Sequence, residues 1–193
     1  STNITINGIP FNDTESLGTY WVNLPDFTSS IESLQVQRGV GTSTNGSGAF
    51  GASINILTDA VSEDAYAEIS NSVGSYDTYK NTVKFSSGKL NNAFELSGRL
   101  SKIDSDGYID RAFSDLKSYF LQGSYLKGST FIKALAFGGH EKTYQSWNGV
   151  SKDQILENRR QNPYTYENEI DNYKQDHYQF HWNEKLNQSW STN

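Results

Sequence analysis

The sequence predicts a mainly β chain in two regions: an irregular, glycine-rich first part, then antiparallel up-and-down strands of membrane-barrel length. Three observations predict it. The chain is polar on average, with a mean hydropathy of -0.67, yet it holds 12 Tyr, 10 Phe and 4 Trp. Disordered chains are poor in aromatics, so this pairing points to strands whose two faces differ sharply. From Ala65 onward apolar and polar residues alternate in segments of strand length. The connections between those segments alternate too, short and then long.

In the first region, Ile4-Thr5-Ile6 is a short strand closed by the turn dipeptide Asn7-Gly8, with Pro10 just beyond. Phe11 to Phe27 reads as a long loop carrying Asp13, Tyr20 and Trp21. Leu34 and Val36 oppose Gln35 and Gln37, which predicts a strand over 33–38. The stretch from Gly39 to Gly51 inclusive holds five glycines, and Ile54 and Ile56 mark a last strand over 53–58.

In the second region, Tyr79, Val83 and Phe85 face away from Lys80, Thr82, Lys84 and Ser86. Phe94, Leu96, Gly98 and Leu100 oppose Glu95, Ser97, Arg99 and Ser101. Tyr119, Leu121 and Tyr125 oppose Gln122 and Ser124, with Phe120 interrupting the polar face. Tyr178, Phe180 and Trp182 oppose His177, Gln179, His181 and Asn183. Over 131–137 the phase stays open, because Lys133 shares a face with Phe131, Leu135 and Phe137. Gly88-Lys89-Leu90-Asn91 and Gly128-Ser129 are tight turns, whereas Asp104–Leu116 and His140–Asn172 are long loops. Short turns at one rim and long loops at the other suit an outer-membrane barrel. A water-soluble meander also alternates, so periodicity alone leaves both architectures open.

Composition narrows the function classes. A net charge of -6 and a pI near 5.0 lack the basic footprint of a nucleic-acid binder. With 0 Cys, disulfides and thiolate metal sites are excluded. No stretch reaches the ~20 apolar residues of a spanning helix, but a barrel strand needs only ~10 with one apolar face. With no signal peptide and 0 Met, the sequence is expected to begin inside a longer gene product.

The segment from Arg38-Gly39 through the glycine-rich stretch to Ala52-Ser53-Ile54-Asn55-Ile56-Leu57-Thr58 resembles the end of the plug in TonB-dependent outer-membrane receptors. Asn7-Gly8-Ile9-Pro10 is similar to the family's upstream plug strand and turn. Val73-Gly74-Ser75-Tyr76-Asp77-Thr78-Tyr79 resembles its first barrel hairpin, and Asp104-Ser105-Asp106-Gly107-Tyr108 an early extracellular loop. The wording of residues 11–16 and 21–27 is similar to the Bacteroidetes branch of the family. Ala52-Ser53 departs from the Gly-Gly that many members carry there.

This resemblance implies a plug-domain segment over 1–59 followed by transmembrane barrel strands over 60–193. Such transporters have about 22 strands, so residues 60–193 supply about six and leave the barrel partial. An open sheet does not persist in hydrocarbon, so function belongs to the longer protein. Its implied setting is the outer membrane of a Gram-negative bacterium, among outer-membrane lipid. The implied partner is the TonB energy-transducing complex, reached through a plug segment that this sequence does not contain.

Other chemistry has weaker support. The glycine-rich stretch lacks the Gly-Lys-Ser/Thr ending of a phosphate loop and leads into a strand. Asp104, Asp106 and Asp110 around Gly107 suggest a calcium loop but lack its twelfth-position Glu, so a solvated hairpin loop is the plainer reading. His177 and His181 share a strand face and fit a polar lumen better than a metal site. Glu68, Glu95, Asp153 and Glu157 read as water-facing lumen or loop charges. Ser151 and Gln154 form a capping box for a short helix reaching Arg160. No nucleophile motif appears, so no catalytic residue, metal ligand or cofactor is expected.

Asp13, Tyr20, Trp21, Tyr144 and Trp147 are the candidate ligand contacts, since aromatics in polar loops can stack on a flat ligand. Against this, such residues also anchor loops or line a membrane interface. The expected function is an energy-coupled receptor importing a scarce extracellular nutrient, with a ferric siderophore as the family's usual small-molecule ligand. Two rivals remain at this point: a passive outer-membrane barrel and a secreted glycan-binding β-sandwich.

Overall fold

The computed structural model describes residues 2–40, 49–187 and 189–192. The chain forms two compact units, Ser1–Trp21 with Asp26–Ala60, and Val22–Pro25 with Val61–Asn193.

The first unit is built on β1 (Thr2–Ile6), β2 (Ile9–Pro10), β3 (Ile31–Arg38) and β4 (Ala52–Thr58), in sheet order β2-β1-β4-β3. Asn7 and Gly8 take φ of 53° and 82°, the left-handed pair that a two-residue hairpin needs. β1 then lies parallel to β4, from Thr2 opposite Ala52 to Ile6 opposite Ile56. Asn7 reinforces that long-range pairing: its Nδ2 donates to Thr58 Oγ1 at 3.1 Å, and Thr58 N–H donates to its Oδ1 at 3.0 Å. Ile4, Ile6, Phe27, Ala49 and Ile56 are the buried apolar side chains of this unit. Of the glycine-rich stretch, residues 41–48 lie outside the described residues, so the plug-like motif and the discarded phosphate cradle are seen only at their ends.

The second unit is a meander in strict chain order: β5 (Ala65–Gly74), β6 (Thr78–Ser87), β7 (Phe94–Ser105), β8 (Ser114–Lys127), β9 (Thr130–Tyr144), β10 (Ile170–Lys185) and β11 (Ser191–Thr192). Every neighbouring pair is antiparallel. The strands outrun the expected segments, and the long loops shrink to 106–113 and 145–169. Ladder bonds use backbone groups, so pairing continues through polar stretches such as Lys102 opposite Lys117 and Asp104 opposite Asp115.

Burial is inverted relative to a water-soluble sheet. Glu95, Ser97, Arg99, Ser118 and Gln122 are buried, while Leu96, Leu100, Leu121, Tyr178 and Phe180 are exposed on the other face. The open phase of β9 resolves with Leu135 and Phe137 on the polar face, opposite Gln122 and Phe120. Phe120 is no flaw in that face. Its ring lies 6.2 Å from Phe137, which stacks on His177 at 5.0 Å. Glu95, read as a water-facing charge, is buried and accepts a 2.8 Å bond from Ser86 Oγ.

Gly139 is among the glycines that close approach requires. A Cβ on Gly139 would run into the Asn23 carbonyl oxygen and the Pro25 ring of the short segment grouped with this sheet. Gly123 has open space around it. Gly139→Ala should therefore destabilise the full-length protein by about 1–3 kcal/mol, the usual range for overpacking, with Gly123→Ala near neutral. Denaturant titration of the detergent-solubilised protein measures both.

Candidate functional site

At the rim of long connections, three loops of the second unit are tied to one another by polar contacts. The β5–β6 turn is tight, with Tyr76 and Asp77 at φ of 60° and 50°. Tyr76 meets Tyr108 edge-on at 5.5 Å, and the Arg160 guanidinium sits 5.8 Å over its ring. Arg160 Nε also donates to the Tyr108 carbonyl at 2.8 Å and pairs with Asp110 at 3.4 Å. Asp110 N–H donates to the Arg160 carbonyl at 2.8 Å, and Asn158 Nδ2 donates to Asp110 Oδ2 at 2.9 Å.

Asn162 is the buried centre of the network. Its Nδ2 donates to the carbonyls of Asp110 at 2.9 Å and Gln145 at 3.0 Å, and its Oδ1 accepts from Tyr164 N–H at 3.0 Å. Arg111 Nη2 donates to the Tyr164 carbonyl at 2.7 Å and the Asn162 carbonyl at 3.2 Å. Between Gln145 and Asn162 lies α1 (Lys152–Glu157), opened by the expected capping box of Ser151 and Gln154. It stops before Arg160, because Asn158 and Arg160 are held by the neighbouring loop.

No family model and no curated protein matches this chain. Solved structures do. The ferric-catecholate import receptor Fiu of E. coli K12 superposes with a TM-score of 0.74 at 15% identity, over 96% of this chain and 29% of that one. The pyoverdine outer membrane receptor FpvA of Pseudomonas aeruginosa PAO1 gives 0.71 at 16%, over 94% and 27%. The copper transporter OprC gives 0.57 at 17%, over 74% and 23%. The fold is that of TonB-dependent outer-membrane receptors. At these identities the likeness is one of fold, and the chain spans about a quarter of the matched structures' length. Its first unit has the fold of a plug segment, and its second that of consecutive barrel strands.

On this receptor fold the five sequence-derived candidates separate into anchors and exposed groups. Tyr144 is an anchor at 5% exposure: its hydroxyl donates to the Tyr166 carbonyl at 2.6 Å, beside Phe113 and under Arg111. Trp147 is 76% exposed, with one face 6.0 Å from Tyr164. In the first unit Tyr20 and Trp21 are exposed, and Trp21 stacks on Phe11 at 6.0 Å. Asp13 serves its own loop, since its Oδ1 accepts from Ser16 N–H at 2.7 Å and from Glu15 N–H and Ser16 Oγ at 3.0 Å. Among the described residues no group of metal-ligating side chains forms, and Asp104 and Asp110 are instead engaged with Lys102 and Arg160.

Arg111, Arg160, Asn162 and Tyr164 were not singled out from the sequence. Isolated polar residues in loops carry no periodicity, and the only local signals were the pair Arg159-Arg160 and the turn at Asn162-Pro163.

Two outcomes follow from this geometry. Arg111→Ala and Asn162→Ala each remove bonds that bridge 106–113 to 145–169, and should raise proteolysis of the longer loop several-fold in time-resolved digestion of the intact protein. The Ser16 N–H, then the Ser16 hydroxyl and Glu15 N–H, hold the Asp13 carboxyl below its ordinary 3.8. A depressed carboxyl stabilises the native loop fully above the ordinary value and loses that effect as pH falls through the lower native one. The 11–18 loop should therefore stay ordered at pH 4 and loosen only in stronger acid; a carboxyl carbon titration of Asp13 reads the midpoint.

Proposed function

We infer that the longer protein carrying this chain is an energy-coupled outer-membrane receptor of a Gram-negative bacterium, importing a scarce nutrient of the ferric-siderophore type. In this reading residues 1–59 are the last part of the plug and residues 60–193 the first barrel strands. The observation that carries it is the inverted sheet, whose polar face is buried and whose apolar face is bare. Hydrocarbon accepts that arrangement and water does not. A β-sandwich turns its apolar faces inward, so it is the weaker rival. A passive barrel does not account for a first unit folded as a separate small sheet.

The pinned loops supply a preformed rim on which a flat chelate can rest, with little ordering cost on binding. Trp147, exposed beside Tyr164, is the stacking candidate on the barrel side; Tyr20 and Trp21 are those on the plug side. The ligand class is supported by receptors of the same fold described as binding pyoverdine or importing ferric catecholate; the copper transporter marks the range of cargo. Because a plug closes the lumen, release inward needs mechanical work, which the TonB complex would deliver through a segment outside residues 1–193.

Growth of a deletion strain on single iron sources tests the ligand: loss of growth on one ferric chelate, restored by the intact gene, supports the reading, and growth indistinguishable from the parent on every iron source sinks it. Trp147→Ala should weaken chelate binding about ten-fold by loss of stacking, without releasing the loop. Leu121→Arg, on the bare face, should cost about 2–4 kcal/mol of stability in bilayers if the face meets hydrocarbon. Refolding titrations into liposomes measure it, and no cost would count against a membrane setting.

A further inference from the structure

The chain carries the dipeptide Asn-Gly at Asn7-Gly8 and again at Asn148-Gly149; Asn45-Gly46 lies outside the described residues. An asparagine before glycine is chemically labile, because glycine has no side chain to hinder its backbone nitrogen from turning onto the amide carbon. The fold treats the two described sites differently. At Asn7 both ends of the amide are held: Nδ2 donates to Thr58 Oγ1 at 3.1 Å, and Oδ1 accepts from the Thr58 N–H at 3.0 Å. Its own N–H donates to the Ile56 carbonyl at 2.8 Å, and the hairpin turn fixes its φ at 53°. The amide carbon of Asn7 cannot swing onto the Gly8 nitrogen without breaking these bonds.

Asn148 has no such clamp. The 145–169 loop is pinned at Gln145, whose N–H donates to the Glu169 carbonyl at 2.9 Å, and again at Ser151, whose N–H donates to Gln154 Oε1 at 2.8 Å. Between those points residues 146–150 make no hydrogen bond among the described residues. Trp147 rests against Tyr164 at 6.0 Å, and the span is otherwise held only at its ends. Asn148 and Gly149 are both exposed, and a Cβ on Gly149 would meet nothing within 4 Å. The backbone is thus free to rotate about Asn148, and water reaches it.

We propose that Asn148 is a site of spontaneous deamidation, which converts it to aspartate or isoaspartate and so places a negative charge on the loop rim beside Trp147. The Gly149 nitrogen bonds to Asn148 Cγ as the Cγ–Nδ2 bond breaks, and Nδ2 leaves as ammonia with the proton that the Gly149 nitrogen gives up. Water then opens the cyclic imide. Opening at Cγ gives aspartate; opening at the main-chain carbonyl carbon gives isoaspartate, which lengthens the backbone by a methylene. No electrons are exchanged, and water is the co-reactant. The consequence for binding rests on the receptor reading above. A carboxylate next to the exposed Trp147 repels an anionic ferric chelate, so affinity falls as the loop ages.

The test incubates the full-length protein in detergent at mildly alkaline pH, where more of the backbone nitrogen is deprotonated, and maps its peptides by mass spectrometry. The Asn148 peptide should gain the mass of the amide-to-acid exchange and split into aspartyl and isoaspartyl forms, while the Asn7 peptide stays unchanged. In urea the two should convert at similar rates, which shows that the fold protects Asn7. Gly149→Ala should slow conversion at Asn148 roughly ten-fold, since a Cβ narrows the backbone rotation that the attack needs. A stable Asn148 peptide, equal native rates at the two sites, or Gly149→Ala converting at the wild-type rate would each overturn the proposal. A tris-catecholate complex of iron(III) then reads the effect on binding through tryptophan quenching. Asn148→Asp should bind it roughly five-fold more weakly than wild type, the scale of one like charge a few ångströms away in water. Asn148→Gln should match wild type. Equal binding by Asn148→Asp overturns the effect on affinity and not the modification; no binding even to wild type overturns the ligand class with it.

Discussion

Everything in the second unit depends on the register of its antiparallel ladder. Side chains alternate with a period of two, so a one-residue slip in any strand would exchange its faces. The observed register lines up Phe85, Gly98, Leu121, Ala136 and Tyr178 on one side, and Ser97, Gln122, Leu135 and Gln179 on the other. The same ladder satisfies the backbone groups between strands, which is the condition for a sheet in hydrocarbon. An apolar face and a polar face are therefore two results of one pairing pattern.

That pattern also supplies a rigid platform for the rim. Tyr144 ends β9 and Ile170 begins β10, and the two are paired, so the 145–169 loop leaves and returns at a fixed gap. Within that gap order comes from hydrogen bonds and only modestly from apolar burial: Asn162 and Arg111 link carbonyls of two loops, and Arg160 spans to the third connection through Tyr76. A surface ordered this way presents exposed aromatics such as Trp147 without burying them. Binding residues on loops held by a stiff scaffold are a common solution to that problem.

The first unit meets a different constraint. Its sheet includes one parallel pair, β1 with β4, whose members lie about fifty residues apart in the chain, so closure entropy opposes it. The Asn7–Thr58 bonds and the buried Ile4, Ile6 and Ile56 offset that cost. A small apolar core joined by polar clasps thus holds the unit together.

The sequence by itself determined the β character, the short-turn and long-loop alternation, the faces of β6, β7 and β10, the Asn7-Gly8 turn and the capping box at Ser151. Each is written in local pattern: a period of two, a turn dipeptide, a spacing of three. Tertiary structure decided the rest. Strand ends moved outward because ladder bonds ignore side-chain polarity, and β9 took its phase from β8 and β10. Tyr144 became an anchor while Trp147 stayed exposed, a difference set by Phe113, Arg111 and Tyr166 and invisible in their local sequence. Lys102, Lys117, His140 and Lys174, too, are separated by loops and turns in the chain, and only register brings them side by side.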